Sequence, residues 1–267
     1  MQATGSNSNN MPPVSETLLI PLVARAKEMA RNNPIISDKK SMEIISKIDT
    51  TGKVIDGGEI STHGILARTK IIDDEVKNIL SKNPDTTIIN LGAGLDTRIC
   101  RVYNGILKWY DLDLPEVISI RRQFFTENER IRFISKSVLD AAWVNEINTS
   151  ESSNIVIIAE GLLMYFTEEN VAFVLDILSK HFAGAHMFFD VVHTFFINKK
   201  ISSTFLWGIE QAKDIEKLNA RVKLIRSWST GDLLKERQPL FLRIFNILPS
   251  TRNRSQILHI EFARQDK

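Results

Sequence analysis

The chain carries a single cysteine, Cys100, in 267 residues. No internal disulfide can form, and such sparing use fits a reducing compartment. Its five histidines (His63, His181, His186, His193 and His259) have no Cys, Asp or His partners at ligand spacing, so the sequence offers no metal site. A Gly-x-Ser-x-Gly elbow is missing, which removes the α/β-hydrolase signature. No apolar run approaches the roughly 18 residues that a membrane span requires. The Ser-, Asn- and Gly-rich start lacks the charged and then apolar stretches of a signal peptide. Residues 1–14 therefore read as a disordered tail, and the protein as cytoplasmic. Charge of one sign is lacking too. A net charge of +2 gives no basic face for nucleic acid, and Arg252-Asn253-Arg254 reads as a solvated turn.

Hydrophobic residues make up 43% and charged residues 25% of the chain, as in ordinary globular proteins. The length suffices for one α/β domain over residues 15–267 with no covalent staples. Leu18, Leu19, Leu22, Val23, Ala26 and Met29 recur at helical spacing until Asn33-Pro34 stops the helix. A second helix is expected over 41–48, a turn at Gly57-Gly58 and a third helix over 66–80. These three precede every strand and form an N-terminal helical cap, about residues 15–80. Strands are then expected at 88–91, 107–112, 132–135, 154–160 and 187–192. Helices are expected at 115–125, with Pro115 in its first turn, and at 168–182, with Thr167 as N-cap. This alternation predicts a parallel sheet covered on both faces. Residues 221–228 and 256–263 read as two further strands.

The chemistry concentrates at strand ends. The first strand breaks at Gly92-Ala93-Gly94 before a helix-compatible segment, the pattern of a sharp turn whose backbone passes close to a ligand. Glycines alone serve equally as a steric device in such turns. The second strand, however, ends in Asp111-Leu112-Asp113, about 20 residues on, where nucleotide-binding units place a carboxylate on a ribose. The third glycine of the dinucleotide fingerprint is absent, and Asp96 and Thr97 stand in that region. A nearby carboxylate disfavours the pyrophosphate of NAD or FAD at helix N-terminal amides. It suits a ligand with an amino group or positive charge, and S-adenosylmethionine fits: a ribose, a sulfonium, an α-amino group and no phosphate. The fourth strand ends at Glu160, a carboxylate directly after four apolar residues. Burying it demands a partner, either the cationic end of that cofactor or an arginine such as Arg68. Cys100 reads as a buried packing residue.

Three blocks carry a family resemblance. Asn90-Leu91-Gly92-Ala93-Gly94-Leu95-Asp96-Thr97-Arg98, Tyr110-Asp111-Leu112-Asp113-Leu114-Pro115-Glu116-Val117 and Ala159-Glu160-Gly161-Leu162-Leu163-Met164-Tyr165-Phe166 resemble the signature blocks of one methyltransferase group. It comprises leucine carboxyl methyltransferases and the related O-methyltransferases of polyketide biosynthesis, the tetracenomycin type. Arg25-Ala26-Lys27-Glu28, Ala67-Arg68 and Leu206-Trp207-Gly208 are similar to the polyketide branch. The resemblance covers nearly the whole chain, about residues 15–264.

It implies a Rossmann-like class I methyltransferase sheet, mostly parallel, whose last two strands make an antiparallel edge. It also implies an S-adenosylmethionine-dependent O-methyltransferase acting on a carboxyl or hydroxyl oxygen of a small, polyketide-like or other specialised metabolite. A protein C-terminal carboxylate as acceptor, or an inactive cofactor-binding module, are the alternatives. By the same resemblance the cofactor is held by Lys27, Arg68, the Gly92-Ala93-Gly94 backbone, Asp96, Asp111, Asp113, Ser137, Val138, Glu160 and Gly161. Arg68 takes the methionine carboxylate, Asp113 the ribose hydroxyls, and Ser137 and Val138 flank the adenine. Tyr165, Asp190 and His193 lie just past strand ends. They are candidates for a general base if the acceptor is a hydroxyl, and otherwise pocket wall.

Overall fold

The computed structural model describes residues 16–48, 57–149, 154–198, 204–247 and 249–264; the expected tail over 1–14 lies outside them. Seven strands run through it: β1 (Thr87–Leu91), β2 (Lys108–Asp113), β3 (Ile131–Ser135), β4 (Ile155–Ala159), β5 (His186–Val192), β6 (Val222–Ser229) and β7 (Ser255–Phe262). They form one sheet in the order β3-β2-β1-β4-β5-β7-β6. β1 to β5 run parallel to one another, whereas β7 is antiparallel to both β5 and β6. β1 reads Thr-Ile-Ile-Asn-Leu and is buried at every residue, the mark of a parallel strand covered on both faces. β6 is exposed at half of its residues and bulged between Leu224 and Arg226, a device that discourages pairing at a free edge.

The helices are α1 (Glu16–Met29), α2 (Lys39–Lys47), α3 (Gly58–Lys82), α4 (Ile99–Val102), α5 (Pro115–Arg121) and α6 (Glu168–His181), before shorter turns near the C-terminus. Thr167 caps α6, its hydroxyl accepting from the Asn170 amide at 3.3 Å. α3 starts at Gly58 rather than at residue 66, because its first two turns are polar and show no apolar stripe. The helix after the glycine turn is only the four-residue α4. Cys100, expected in a packed face, is consequently exposed. Arg254, expected in a solvated turn, is 6% exposed and donates to the Asn246 side chain and the Thr251 carbonyl.

Adjacent β1 residues serve opposite faces, as the period of 2 dictates. Ile89 joins Leu91, Leu112, Trp143 and the α6 residues Val174 and Leu178. Ile88 joins Trp109, Ile158 and the α3 residues Ile72, Val76 and Leu80. A third cluster seats the cap: Leu19 and Leu22 of α1 and Ile44 of α2 meet Leu95, Ile120 and Phe124. Burying Leu22 completely contributes about 1.5–3 kcal/mol, so α1 is pinned beside the loop that follows β1. Among the described residues no helix is long and apolar enough to cross a membrane. The sheet order reverses between β1 and β4, and in open α/β sheets the crevice beyond the carboxyl ends at that reversal is where ligands bind.

Candidate active site

Gly92 and Gly94 follow β1 with φ of +63° and +47°, values that L side chains rarely adopt. A Cβ at Gly92 would also stand 2.6 Å from Leu162 Cδ1. The turn they allow opens a cavity of about 400 Å³, within the range of ligand pockets. Residues 90 and 92–96 form its floor, and Glu160, Gly161, Met164 and Tyr165 the side beyond β4. Ile65 and Arg68 of α3 face them, while Leu18, Ile20, Pro21 and Arg25 of α1 close it from above, with Phe205 at the edge.

Its charges are set by an alternating chain of acids and guanidinium groups. Glu160 Oε1 accepts from Arg68 Nε at 2.9 Å, and Glu160 Oε2 accepts a short bond from Arg98 Nη2. Arg68 Nη1 donates to Asp190 Oδ2 at 2.8 Å, and Asp190 Oδ1 accepts from the Gly161 amide at 2.6 Å. Arg98, with no exposed surface, also binds Asp73 at 2.7 Å and Asp96 at 2.9 Å. Burial opposes ionisation of Glu160, but Arg98 and Arg68 outweigh it and hold its carboxyl below the ordinary range. Burial likewise opposes ionisation of Asp96, and Arg98 and Arg101 drive its carboxyl well below. Burial pushes the Tyr165 phenol up.

Arg68, Gly92, Ala93, Gly94, Asp96, Glu160, Gly161 and Tyr165 thus meet in one wall. Other expected residues stand elsewhere. Lys27 is exposed and Arg25 takes its place in the wall. Two residues along a helix is a rotation of about 200°, and Arg25 shares the inward face with Leu18 and Leu22. Asp111 has no exposed surface. It accepts from Asn90 Nδ2, Trp109 Nε1 and Arg121 Nε, so it belongs to the core and not to a ribose site. Asp190 is 1% exposed and braces Arg68 and Gly161 from behind instead of facing an acceptor. His193 lies off the wall because β5 ends before it; its Nδ1 accepts from the Phe195 amide.

Asp113 is half-buried and stands behind the floor, its Oδ2 accepting from the Gly94 amide at 2.7 Å and its Oδ1 from the Leu114 amide. Burial pushes its carboxyl up. Ser137 and Val138 follow β3 on the same edge of the sheet. The Ser137 hydroxyl accepts from the Leu139 amide, and the Val138 side chain is packed in the core, which leaves backbone groups for a ligand there. Arg25, Asn90 and Arg98 were not anticipated. The i, i+4, i+7 spacing from Leu18 signals Arg25; nothing local signals the ties of Arg98 to Asp73 and Glu160, which are remote in sequence.

The donor set fits a zwitterion. Among the described residues Arg68 Nη2 makes no hydrogen bond, and it lies 3.0 Å from the point a Gly161 Cβ would occupy, placed to meet a ligand carboxylate. Asp96 and Glu160, both ionised, provide negative potential for an ammonium or sulfonium.

Comparison with known proteins agrees. A family model described as leucine carboxyl methyltransferase matches residues 18–179. The tetracenomycin polyketide synthesis O-methyltransferase TcmP of Streptomyces glaucescens is 26% identical over 228 residues, 82% of this chain and 84% of that protein. The S-adenosyl-L-methionine-dependent methyltransferase dpfgK of Gibberella zeae is 29% identical over 230 residues, 75% and 77% of the two chains. Among solved structures, magnesium protoporphyrin IX methyltransferase (ChlM) of Synechocystis PCC 6803 with bound S-adenosyl-L-homocysteine aligns at a TM-score of 0.53 and 12% identity. It covers 85% of this chain and 96% of that one, a likeness of fold.

Proposed function

The chain belongs to the leucine carboxyl methyltransferase family and is an S-adenosylmethionine-dependent methyltransferase; we propose that it methylates an oxygen already anionic on arrival, a carboxylate or acidic phenol of a small specialised metabolite. The observation that carries this is the state of the acids in the wall. Asp96 and Glu160 are held ionised by arginines and are poor proton acceptors, and the raised Tyr165 phenol keeps its proton near neutral pH. Those side chains give an acceptor alignment, not deprotonation. Ile20, Pro21, Met164 and Phe205 in the wall suit an apolar, planar body, and the name of the Streptomyces relative places that protein in polyketide synthesis.

In this assignment Arg68 Nη2 holds the cofactor carboxylate, Asp96 and Glu160 its ammonium side, Asp113 the ribose hydroxyls, and the backbone at Ser137 and Val138 the adenine. The bound cofactor supplies a methyl group on a sulfonium, an electrophile with a neutral leaving group. The chain's own work is to place the acceptor oxygen in line and keep water out. Such placement is worth up to about 7–11 kcal/mol.

The expected result is a rate with a carboxylic acceptor that stays flat between about pH 6.5 and 9, since the acceptor is fully ionised throughout. With a phenolic acceptor the rate follows the phenol's own ionisation, and Tyr165→Phe changes kcat by less than about threefold. A rate that titrates with one enzyme group whatever the acceptor would sink the assignment. Feeding methyl-labelled cofactor with separated small-molecule and polypeptide fractions decides the acceptor class; label in a protein C-terminus would replace the metabolite.

A further inference from the structure

Asp38, 1% exposed, makes more bonds than its place in the chain requires. It is the N-cap of α2, where Oδ1 accepts from the Ser41 amide at 3.0 Å. That cap needs one oxygen. The other, Oδ2, accepts from three side chains on three further segments. Arg25 Nε of α1 donates at 2.9 Å; Thr97 Oγ1, in the loop after β1, at 2.5 Å; and Arg101 Nη1 of α4 at 2.9 Å.

Each donor leads to the cavity. Arg25 is part of its wall. Thr97 adjoins Asp96, which is also in the wall. Arg101 shares Asp73 with Arg98, and Arg98 holds both Asp96 and Glu160. The apolar contacts of α1 fall on the same loop, through Leu19 and Leu22 against Leu95.

We infer that Asp38 is a positioning residue that latches the N-terminal cap to the cofactor loop, so that closure of α1 over the cavity and ordering of residues 92–101 occur together. It touches no ligand. It fixes the Arg25 guanidinium in the wall and, through Arg101 and Asp73, steadies the arginine beneath Asp96 and Glu160. A ligand gripping either the loop or α1 then grips one unit, and releasing the latch weakens binding without removing a ligand contact. That role rests on the cavity being the S-adenosylmethionine site.

Asp38→Asn is the test. Asn caps a helix as well as Asp, while its amide turns an N–H toward two guanidinium groups. The expected result is a rise in KM for S-adenosylmethionine of about tenfold or more, with kcat changed far less. In the unaltered protein, S-adenosylhomocysteine slows hydrogen exchange in both α1 and residues 92–101; in the variant, protection survives in the loop and is lost from α1. An unchanged KM and unchanged α1 protection, with only the melting temperature lowered, would make Asp38 a structural staple and overturn the latch. Should Asp38→Asn fail to fold, Thr97→Val removes the bond to Asp38 and the one accepted from Arg101 Nη1, and leaves no bare charge. Its expected effect is a KM rise of about fivefold or more, in keeping with the loss of two hydrogen bonds, and no rise overturns the latch equally. Titrating the unaltered protein with S-adenosylhomocysteine separates the two levels: absence of binding removes the site assignment, whereas binding with an indifferent Asp38→Asn removes only the latch.

Discussion

Glu160→Ala is expected to destabilise the cofactor-free protein by about 3–5 kcal/mol and to weaken S-adenosylmethionine binding roughly 30-fold or more. Both effects have one origin. The Glu160 carboxylate neutralises two guanidinium groups, Arg68 and Arg98, and Arg98 has no exposed surface from which to recruit water. Removing the acid takes one buried anionic partner from each guanidinium, leaving Arg98 to Asp73 and Asp96 and Arg68 to Asp190 alone. Sequence alone offered two partners for Glu160, a cofactor or an arginine. The structure pairs it with arginines and also sets it in the cavity wall. A double-mutant cycle of Glu160→Gln with Arg98→Met, followed by denaturant unfolding, should show coupling above about 1 kcal/mol. Additive losses would mean that the pair carries no weight in the fold.

Asp111→Asn separates the core from the site. Asp111 and Arg121 both have no exposed surface and meet at 2.7 Å, so neutralising the acid leaves Arg121 bare at a cost of about 3–5 kcal/mol. Arg121 still donates to the Gly94 and Asp96 carbonyls, which keeps the loop in place. Cofactor affinity of the folded protein should therefore change by less than about threefold. Adding Arg121→Met to the stability measurement should recover much of the loss, since an ion pair replaced whole is often near neutral. Retained stability with lost affinity would return Asp111 to the ribose site.

Much of this was legible. Paired isoleucines at 88 and 89, the break at Gly92 and the acids closing the next strand gave the strand ends, and strand ends are where an open α/β sheet binds ligands. Arg25 was legible too, through its helical phase with Leu18 and Leu22, although the resemblance over the Arg25–Glu28 block gave Lys27. The preference for Asp113 over Asp111 at the ribose came from the resemblance, since residue spacing does not separate the two. Alternate positions on a strand face the same side, and only the register that sets Asn90 beside Asp111, with Arg121 arriving from α5, assigns one to the core. The ion network escaped for a similar reason. Arg98 meets Asp73 on α3 and Glu160 past β4, and no local pattern ties residues so far apart in sequence.

The most direct test is calorimetric titration with S-adenosylhomocysteine and with NAD, on the unaltered protein and on Gly161→Ala. Gly161 has φ +66°, and a Cβ there would come within 3.0 Å of Arg68 Nη2, so the variant should push aside the guanidinium assigned to the cofactor carboxylate. The predicted result is S-adenosylhomocysteine binding with a Kd on the order of micromolar, no heat with NAD, and a loss of tenfold or more in the variant. Tighter binding of NAD, or undiminished S-adenosylhomocysteine binding by Gly161→Ala, would contradict it.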